Sequence, residues 1–263
     1  MLALTLQRKD FREYDQIVSL YSKEQGRLDL LARGLKKITA KHAAHLEPFS
    51  LVSIEVAPGK GIDHLIKVQP LEYFSGIRSD FKKAFVVRRV LSIFNTFVKP
   101  RDPDGVLFEL LCSWLYFVNS SSTEIRVSLM DAFVLALCSR LGFRPVLDSC
   151  VICSKPFQDM IRENLSGQDR GKAFLPGFYC AGGGLVCNQC RIGKERIHEQ
   201  IFVCGLKELS HLQALLKEQW ALIALYDIPA KEAENIHKLV YEFAVYHQEY
   251  AIPDWASLKS GLY

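Results

Sequence analysis

Two Cys-x-x-Cys pairs, Cys150-Val-Ile-Cys153 and Cys187-Asn-Gln-Cys190, constrain this chain more than any other feature. A two-residue gap lets both sulfurs of one turn reach the same ion at about 2.3 Å, and four thiolates make a tetrahedral zinc site. Four Cys ligands also close the coordination shell and leave no position for a water or a substrate. The expected cofactor is therefore one structural Zn2+. The competing reading is a pair of redox dithiols. Thioredoxin-like chemistry would want one Cys-x-x-Cys inside a βαβ pattern, and the sequence shows none. The 33 residues between the pairs exceed the usual ribbon spacing.

The rest of the chain has the profile of a folded soluble protein, 49% hydrophobic and 24% charged over 263 residues. That length suits one large domain or two smaller ones with proper cores. The N-terminus shows no secretory pattern, because Met1-Leu-Ala-Leu-Thr-Leu6 runs at once into Gln7-Arg-Lys-Asp10. No run approaches the length of a membrane span. Cys112, Cys138 and Cys204 lie singly among apolar residues, as small buried hydrophobes do. This usage fits a reducing cytosol, so the expected location is cytoplasmic.

Hydrophobic patterning divides the chain. Residues 17–21, 27–31, 49–56 and 62–71 read as short strands, split by turns such as Ser22-Lys-Glu-Gln-Gly26 and Pro58-Gly-Lys-Gly61. About five strands before residue 79 predict a small closed or partly open β-barrel, with a short helical piece over 39–46. From Asp80 the period becomes helical. Helices are expected at 81–97, then to about Val118, and at 125–141 with Gly142 as C-cap. Two more are expected at roughly 205–226 and at 230–249, the last opening on Pro229. The fold class is thus α+β and multidomain: a barrel at 1–79, then a helical region at 80–263 interrupted by the cysteine module at about 147–192.

Catalytic signatures are absent. Ala57-Pro-Gly-Lys-Gly-Ile-Asp63 lacks the Ser or Thr and the earlier glycine of a P-loop. His198-Glu199 lacks the second His of a zinc-protease helix, the Pro that precedes Cys-x-x-Cys in zinc deaminases is replaced by Ser149 and Val186, and no Gly-x-Ser-x-Gly elbow occurs. The remaining histidines are scattered, each better read as a surface or satisfied side chain than as a ligand.

Charge placement favours binding. The net charge is only +4, but residues 1–41 hold nine Lys and Arg against five Asp and Glu, so the remainder is near neutral. A small barrel with a basic stripe suits single-stranded nucleic acid, whose phosphates follow the cations and whose bases stack on aromatic faces. Phe11 and Tyr14, flanked by charges, are candidates for exposure, whereas Phe49 and Tyr21 read as core. The bland alternative is a solvated basic face.

Several motifs, in order and spacing, resemble the RecO family of bacterial recombination mediators. These are Tyr14-Asp-Gln-Ile-Val-Ser-Leu-Tyr-Ser-Lys-Glu-Gln-Gly-Arg27, Ala32-Arg-Gly-Leu-Lys-Lys37, Leu46-Glu-Pro-Phe49, Leu141-Gly-Phe-Arg-Pro145 leading to Cys150, and Phe178-Tyr-Cys-Ala-Gly-Gly-Gly-Leu-Val-Cys187. The resemblance implies an N-terminal OB-fold and a helical C-terminal domain carrying the zinc module. It also implies binding of single- and double-stranded DNA, strand annealing, and help in loading RecA onto strands coated by single-stranded-DNA-binding protein. The implied partners are RecR and the acidic C-terminal tail of that coating protein, with no nucleotide hydrolysed. Two departures stand out. Thr39-Ala-Lys41 follows the basic loop where the family usually has Ser, and Cys180 stands at a common Ser position, beside the metal site and outside the ligand set. Some relatives lack the cysteines, which fits a structural ion.

The resulting site assignment places Arg12, Arg27, Arg33, Lys36, Lys37 and Lys41 at DNA phosphates, and Cys150, Cys153, Cys187 and Cys190 on the metal. Arg126 and Arg140 are assigned to the acidic tail. Two rival readings remain, a zinc-ribbon nucleic-acid-processing enzyme and a protein-interaction adaptor that does not bind DNA.

Overall fold

Five strands with apolar residues on one face close into a barrel: β1 (Leu2–Asp10), β2 (Gln16–Ser22), β3 (Gly26–Ala32), β4 (Leu51–Ala57) and β5 (His64–Glu72). The computed structural model describes residues 1–37, 43–166, 176–193, 201–248 and 251–256. The barrel order is β1-β2-β3-β5-β4, with β1 pairing to β4 and a parallel β3–β5 contact at Leu31 and His64. This is the small barrel expected from the strand pattern, in the OB-fold topology that the family resemblance implies. Alternation supplies the core: Val18, Leu20, Leu28, Leu30, Val52, Ile54 and Val68 point inward, while Asp29 and Glu55 face out. Register shifts between Thr5 and Gln7, and at two places between β4 and β5, bend the strands enough for closure. Of the helical piece expected over 39–46, Ala44–Leu46 forms a 3-10 turn, and residues 39–42 lie outside the described residues.

Two compact units emerge from the packing, residues 1–125 and 126–263. The first holds the barrel with α1 (Ser75–Arg78), α2 (Phe81–Phe97) and α3 (Gly105–Ser120). Asp80 caps α2 by accepting the N–H groups of Lys82 and Lys83, and Asp104 caps α3 through Val106 and Leu107. Each such cap is worth about 1 kcal/mol. Tyr21, fully buried, joins β2 to these helices: its ring meets Phe94 edge-on at 4.9 Å and stacks with Phe108 at 6.5 Å. Gly26 adopts φ +68°, and a Cβ there would lie 2.3 Å from the Asp102 carbonyl oxygen. A Gly26→Ala variant therefore meets both left-handed strain and backbone overlap. It is expected to unfold at least 2 kcal/mol more easily in denaturant titration, the strain alone contributing about 1–2 kcal/mol.

In the second unit, α4 (Val127–Arg140) is buried nearly all round and packs against α7 (Leu206–Leu215), α8 (Trp220–Leu225) and α9 (Ala230–Tyr246). The single helix expected at 205–226 is two. Glu218 sits at φ +56° between them, paired with Arg140 at 2.6 Å, and the break turns Trp220 inward. The cysteine region contains α5 (Phe157–Ser166), the strands β6 (Gly177–Tyr179), β7 (Gly184–Val186) and β8 (Ile201–Val203) in the order β7-β6-β8, and α6 (Asn188–Gly193). Gly184 is required where β7 passes Val146, because a Cβ would lie 2.4 Å from the Val146 carbonyl oxygen.

Candidate functional site

The four expected ligand cysteines converge. The sulfurs of Cys150, Cys153, Cys187 and Cys190 all lie within 4.8 Å of one another, and the Cys153–Cys187 separation is 3.7 Å. A ZnS4 tetrahedron with 2.3 Å bonds has edges of about 3.8 Å, so the cluster has the dimensions of a metal site. Local backbone explains the convergence. The first pair lies in a tight turn in which Cys150 N–H donates to the Lys155 carbonyl, Ser154 N–H donates to the Cys150 carbonyl, and Ser154 takes φ +60°. The second pair sits where β7 gives way to α6. The Cys187 N–H donates to Cys150 Sγ at 3.4 Å, which joins the two turns directly.

The electrostatics suit thiolates around a cation. Burial pushes the Cys150 thiol up, but backbone N–H groups of Cys187, Cys153 and Ile152 outweigh it and bring the thiol down to about 7. Burial raises Cys187 and Cys190; the sulfurs of Cys150 and Cys153 raise both further, while hydrogen bonds from Cys190 partly offset the rise at Cys187. Four thiolates this close repel one another unless a cation sits among them. The donor set is all sulfur and closed, which fits structural zinc and leaves no site for Lewis-acid chemistry on a substrate. Cys180 is buried, its thiol pushed up to about 12 chiefly by burial, and it is not part of the cluster. Cys112, Cys138 and Cys204 are likewise pushed to about 12 by burial, as inert apolar thiols are.

The basic residues near the N-terminus fall into two groups. Residues 11–15 turn the chain between β1 and β2, and residues 33–37 follow β3 at the same end of the barrel. Gly34 N–H donates to Asp15 Oδ1 at 2.8 Å and Lys36 N–H donates to the Tyr14 carbonyl at 3.1 Å, so the two loops are tied together. On them Arg12 and Arg33 are exposed, Lys36 pairs with Asp10 at 2.9 Å, and Lys37 Nζ lies 5.6 Å from the Tyr14 ring centroid. Gln16 and Lys36 hold the Asp10 carboxyl below the usual carboxylate range. Phe11 and Tyr14 are exposed, 45% and 47%, while Phe49 is buried, as the sequence suggested.

Arg27 points elsewhere. Its guanidinium donates to the carbonyls of Asn95 and Val98 at 3.1 and 3.3 Å and lies 3.9 Å from Asp29. Lys41 lies outside the described residues. Sequence reading passed over Arg88, which with Arg8, Gln7, Gln16, Ser92 and Asn95 lines a cleft of about 360 Å³ beside the barrel. Arg88 is one of four cations on α2, with Lys82, Lys83 and Arg89, and nothing in the local sequence sets it apart from them.

Arg126 and Arg140 do not lie open. Arg126 donates to the Tyr226 carbonyl and pairs with Asp227 at 3.2 Å, and Arg140 pairs with Glu218. Both are half exposed. Among the described residues no helix is long and apolar enough to cross a membrane.

Comparison with known proteins covers nearly the whole chain. The family model described as Recombination protein O N terminal matches residues 2–74, and that described as Recombination protein O C terminal matches residues 78–251. A DNA repair protein RecO of Cutibacterium acnes is 28% identical over 254 residues, covering 94% of this chain and 93% of the relative. Proteins of the same description from Caldanaerobacter subterraneus, at 25% identity over 94% of this chain and 92% of theirs, and Pelotomaculum thermopropionicum, at 26% over 97% and 91%, align similarly. With its barrel, its four-cysteine centre and matches to both halves, this chain belongs to the RecO family of DNA repair and recombination proteins.

Proposed function

We propose that the protein is a non-catalytic recombination mediator. It binds single- and double-stranded DNA, anneals complementary strands, and helps load RecA onto strands coated by single-stranded-DNA-binding protein. RecR and the acidic tail of the coating protein are its partners, and one structural zinc holds its module. The observation that carries this reading is the pair of tied loops at one end of the OB barrel. They present Arg12, Arg33, Lys36 and Lys37 on a rigid support, a surface for phosphates. Neutralising both strands' charge there lets them approach. Arg27 acts as a buttress for the barrel, so its loss lowers stability before it lowers affinity. Lys41 extends the same basic run in sequence.

The direct test mixes complementary strands, one precoated, and follows annealing with and without the protein. Acceleration is expected. Turnover of the nucleic acid would instead favour the processing enzyme, and no DNA binding at moderate salt would favour the adaptor. The cations have their own readout. Single-strand binding is expected to weaken with salt by about 0.7 in log–log slope per neutralised phosphate. A Lys36→Ala, Lys37→Ala double variant should flatten the slope by about 1.4, and an unchanged slope removes both lysines from the site. The tail would displace Asp227 and Glu218 from Arg126 and Arg140. Arg140→Ala should therefore weaken capture of a labelled acidic tail peptide in anisotropy, and wild-type affinity counts against that residue.

A further inference from the structure

We infer that Phe11 and Tyr14 form a stacking platform for unpaired bases, and that these two rings give the barrel its preference for single strands over duplex. The inference rests on the DNA-binding reading above and adds to it a residue-level source of specificity. Single exposed aromatics are ordinary on protein surfaces. Here two stand on one short loop, each about half exposed, and each has a cation over its ring. Arg12 lies 5.1 Å from the Phe11 centroid and Lys37 lies 5.6 Å from that of Tyr14.

The support is rigid. Phe11 and Arg12 N–H groups donate to the Asp15 carbonyl, Asp15 in turn accepts from Gly34, and Tyr14 accepts from Lys36. The backbone that carries the rings is thus held in place before any ligand arrives, which lowers the ordering cost of binding. The local charges are complementary to a polyanion. Asp10 is paired with Lys36 and the Asp15 carboxylate is engaged by Gly34, which leaves exposed Arg12, Arg33 and Lys37 against exposed Glu13.

This combination discriminates by geometry. Every base has a π-face, so stacking tolerates any sequence, but a base inside a duplex has both faces covered by its neighbours. Phosphates are available in both forms. The cations therefore bind either form, and the rings engage only bases free of the stack.

The test uses the full chain and three ligands at low salt: a single-stranded oligonucleotide, an abasic strand with the same phosphates, and a duplex. Wild type should bind the base-bearing strand more tightly than the abasic one. Phe11→Ala and Tyr14→Leu should each weaken base-bearing binding roughly five- to hundredfold, with abasic and duplex binding unchanged. Tyr14→Phe should restore it. Both residues are exposed, so the melting temperature should not move. Equal loss on abasic and base-bearing strands, or no loss, overturns the platform while leaving the phosphate surface standing. Wild type that binds none of the three overturns both readings together.

Discussion

A Cys187→Ser variant is expected to lose its metal and to release the cysteine module from its folded arrangement. The structure lets the opposing terms be compared. Structural zinc in small modules contributes about 10–16 kcal/mol of apparent binding free energy at neutral pH. Without it, the β6–β7 hairpin keeps three well-buried apolar side chains besides Cys180, namely Phe178, Leu185 and Val186, with Phe178 edge-on to Phe243 of α9 at 5.5 Å. These are worth about 1.5–3 kcal/mol each, which is less than the zinc term. The backbone links between the two turns also depend on the ligands, because the Cys187 N–H donates to Cys150 Sγ and the Val151 N–H to the Leu185 carbonyl. Metal content should fall from one zinc per chain to none. Amide exchange should rise by orders of magnitude at 150–154 and in β6 and β7, and stay slow in α9. The DNA salt dependence should not change, because the basic loops belong to the other compact unit. A variant that kept a full zinc equivalent, or wild-type exchange at 150–154, would refute the assignment of Cys187 as a ligand.

What was legible in the sequence follows physical rules that act over short range. The barrel strands show apolar alternation and glycine-ended turns, and Gly26 sits where β2 must reverse into β3. Two-residue spacing revealed both halves of the metal cluster despite the long gap, since that gap holds α5 and the β6–β7 hairpin that bring the second pair back. Other features depend on partners far away in sequence. Periodicity runs unbroken through Leu212, Leu215, Trp220 and Ile223, so nothing local announces the break at 216–219, which is set with the Arg140–Glu218 pair. The strands of the module are three residues long, too short to show a period. Residue type gave Arg27 its charge but not its direction, and only the fold turns it toward the end of α2. His237 illustrates the same limit. Its partners stand 106 and 17 residues away, and sequence alone left it as a surface or a satisfied histidine.

That histidine carries the second large effect. Asp131 on α4 is fully buried, hydrogen-bonded to His237 Nδ1 at 2.8 Å and accepting from Trp255 Nε1 at 2.7 Å, while His237 Nε2 is hydrogen-bonded to Asp254 at 3.0 Å. Both ring nitrogens face carboxyl groups, which favours the doubly protonated ring, while burial pushes the Asp131 carboxyl up against that charge. Burial alone would lower the His237 pKa, but hydrogen bonds and charge from Asp131 and Asp254 raise it above the usual histidine value. A raised folded pKa means that this group's stabilisation is complete below the unfolded value of about 6.5 and is lost as pH climbs through the folded value. The cluster also pins the described segment 251–256 to α4 and α9, with Trp255 and Ile252 buried beside it. Replacing Asp131 with Asn leaves the His237 ring facing one carboxyl group and a neutral amide. Breaking a buried pair from one side costs about 3–5 kcal/mol. Asp131→Asn should lower the urea midpoint of the second unit accordingly and shift Trp255 fluorescence to the red. Wild type should lose stability between pH 6.5 and the alkaline range, and the variant should lose less. A wild-type midpoint that is flat with pH, or an Asp131→Asn variant as stable as wild type, would show that packing of Trp255 and Ile252, and not the imidazolium, holds this segment in place.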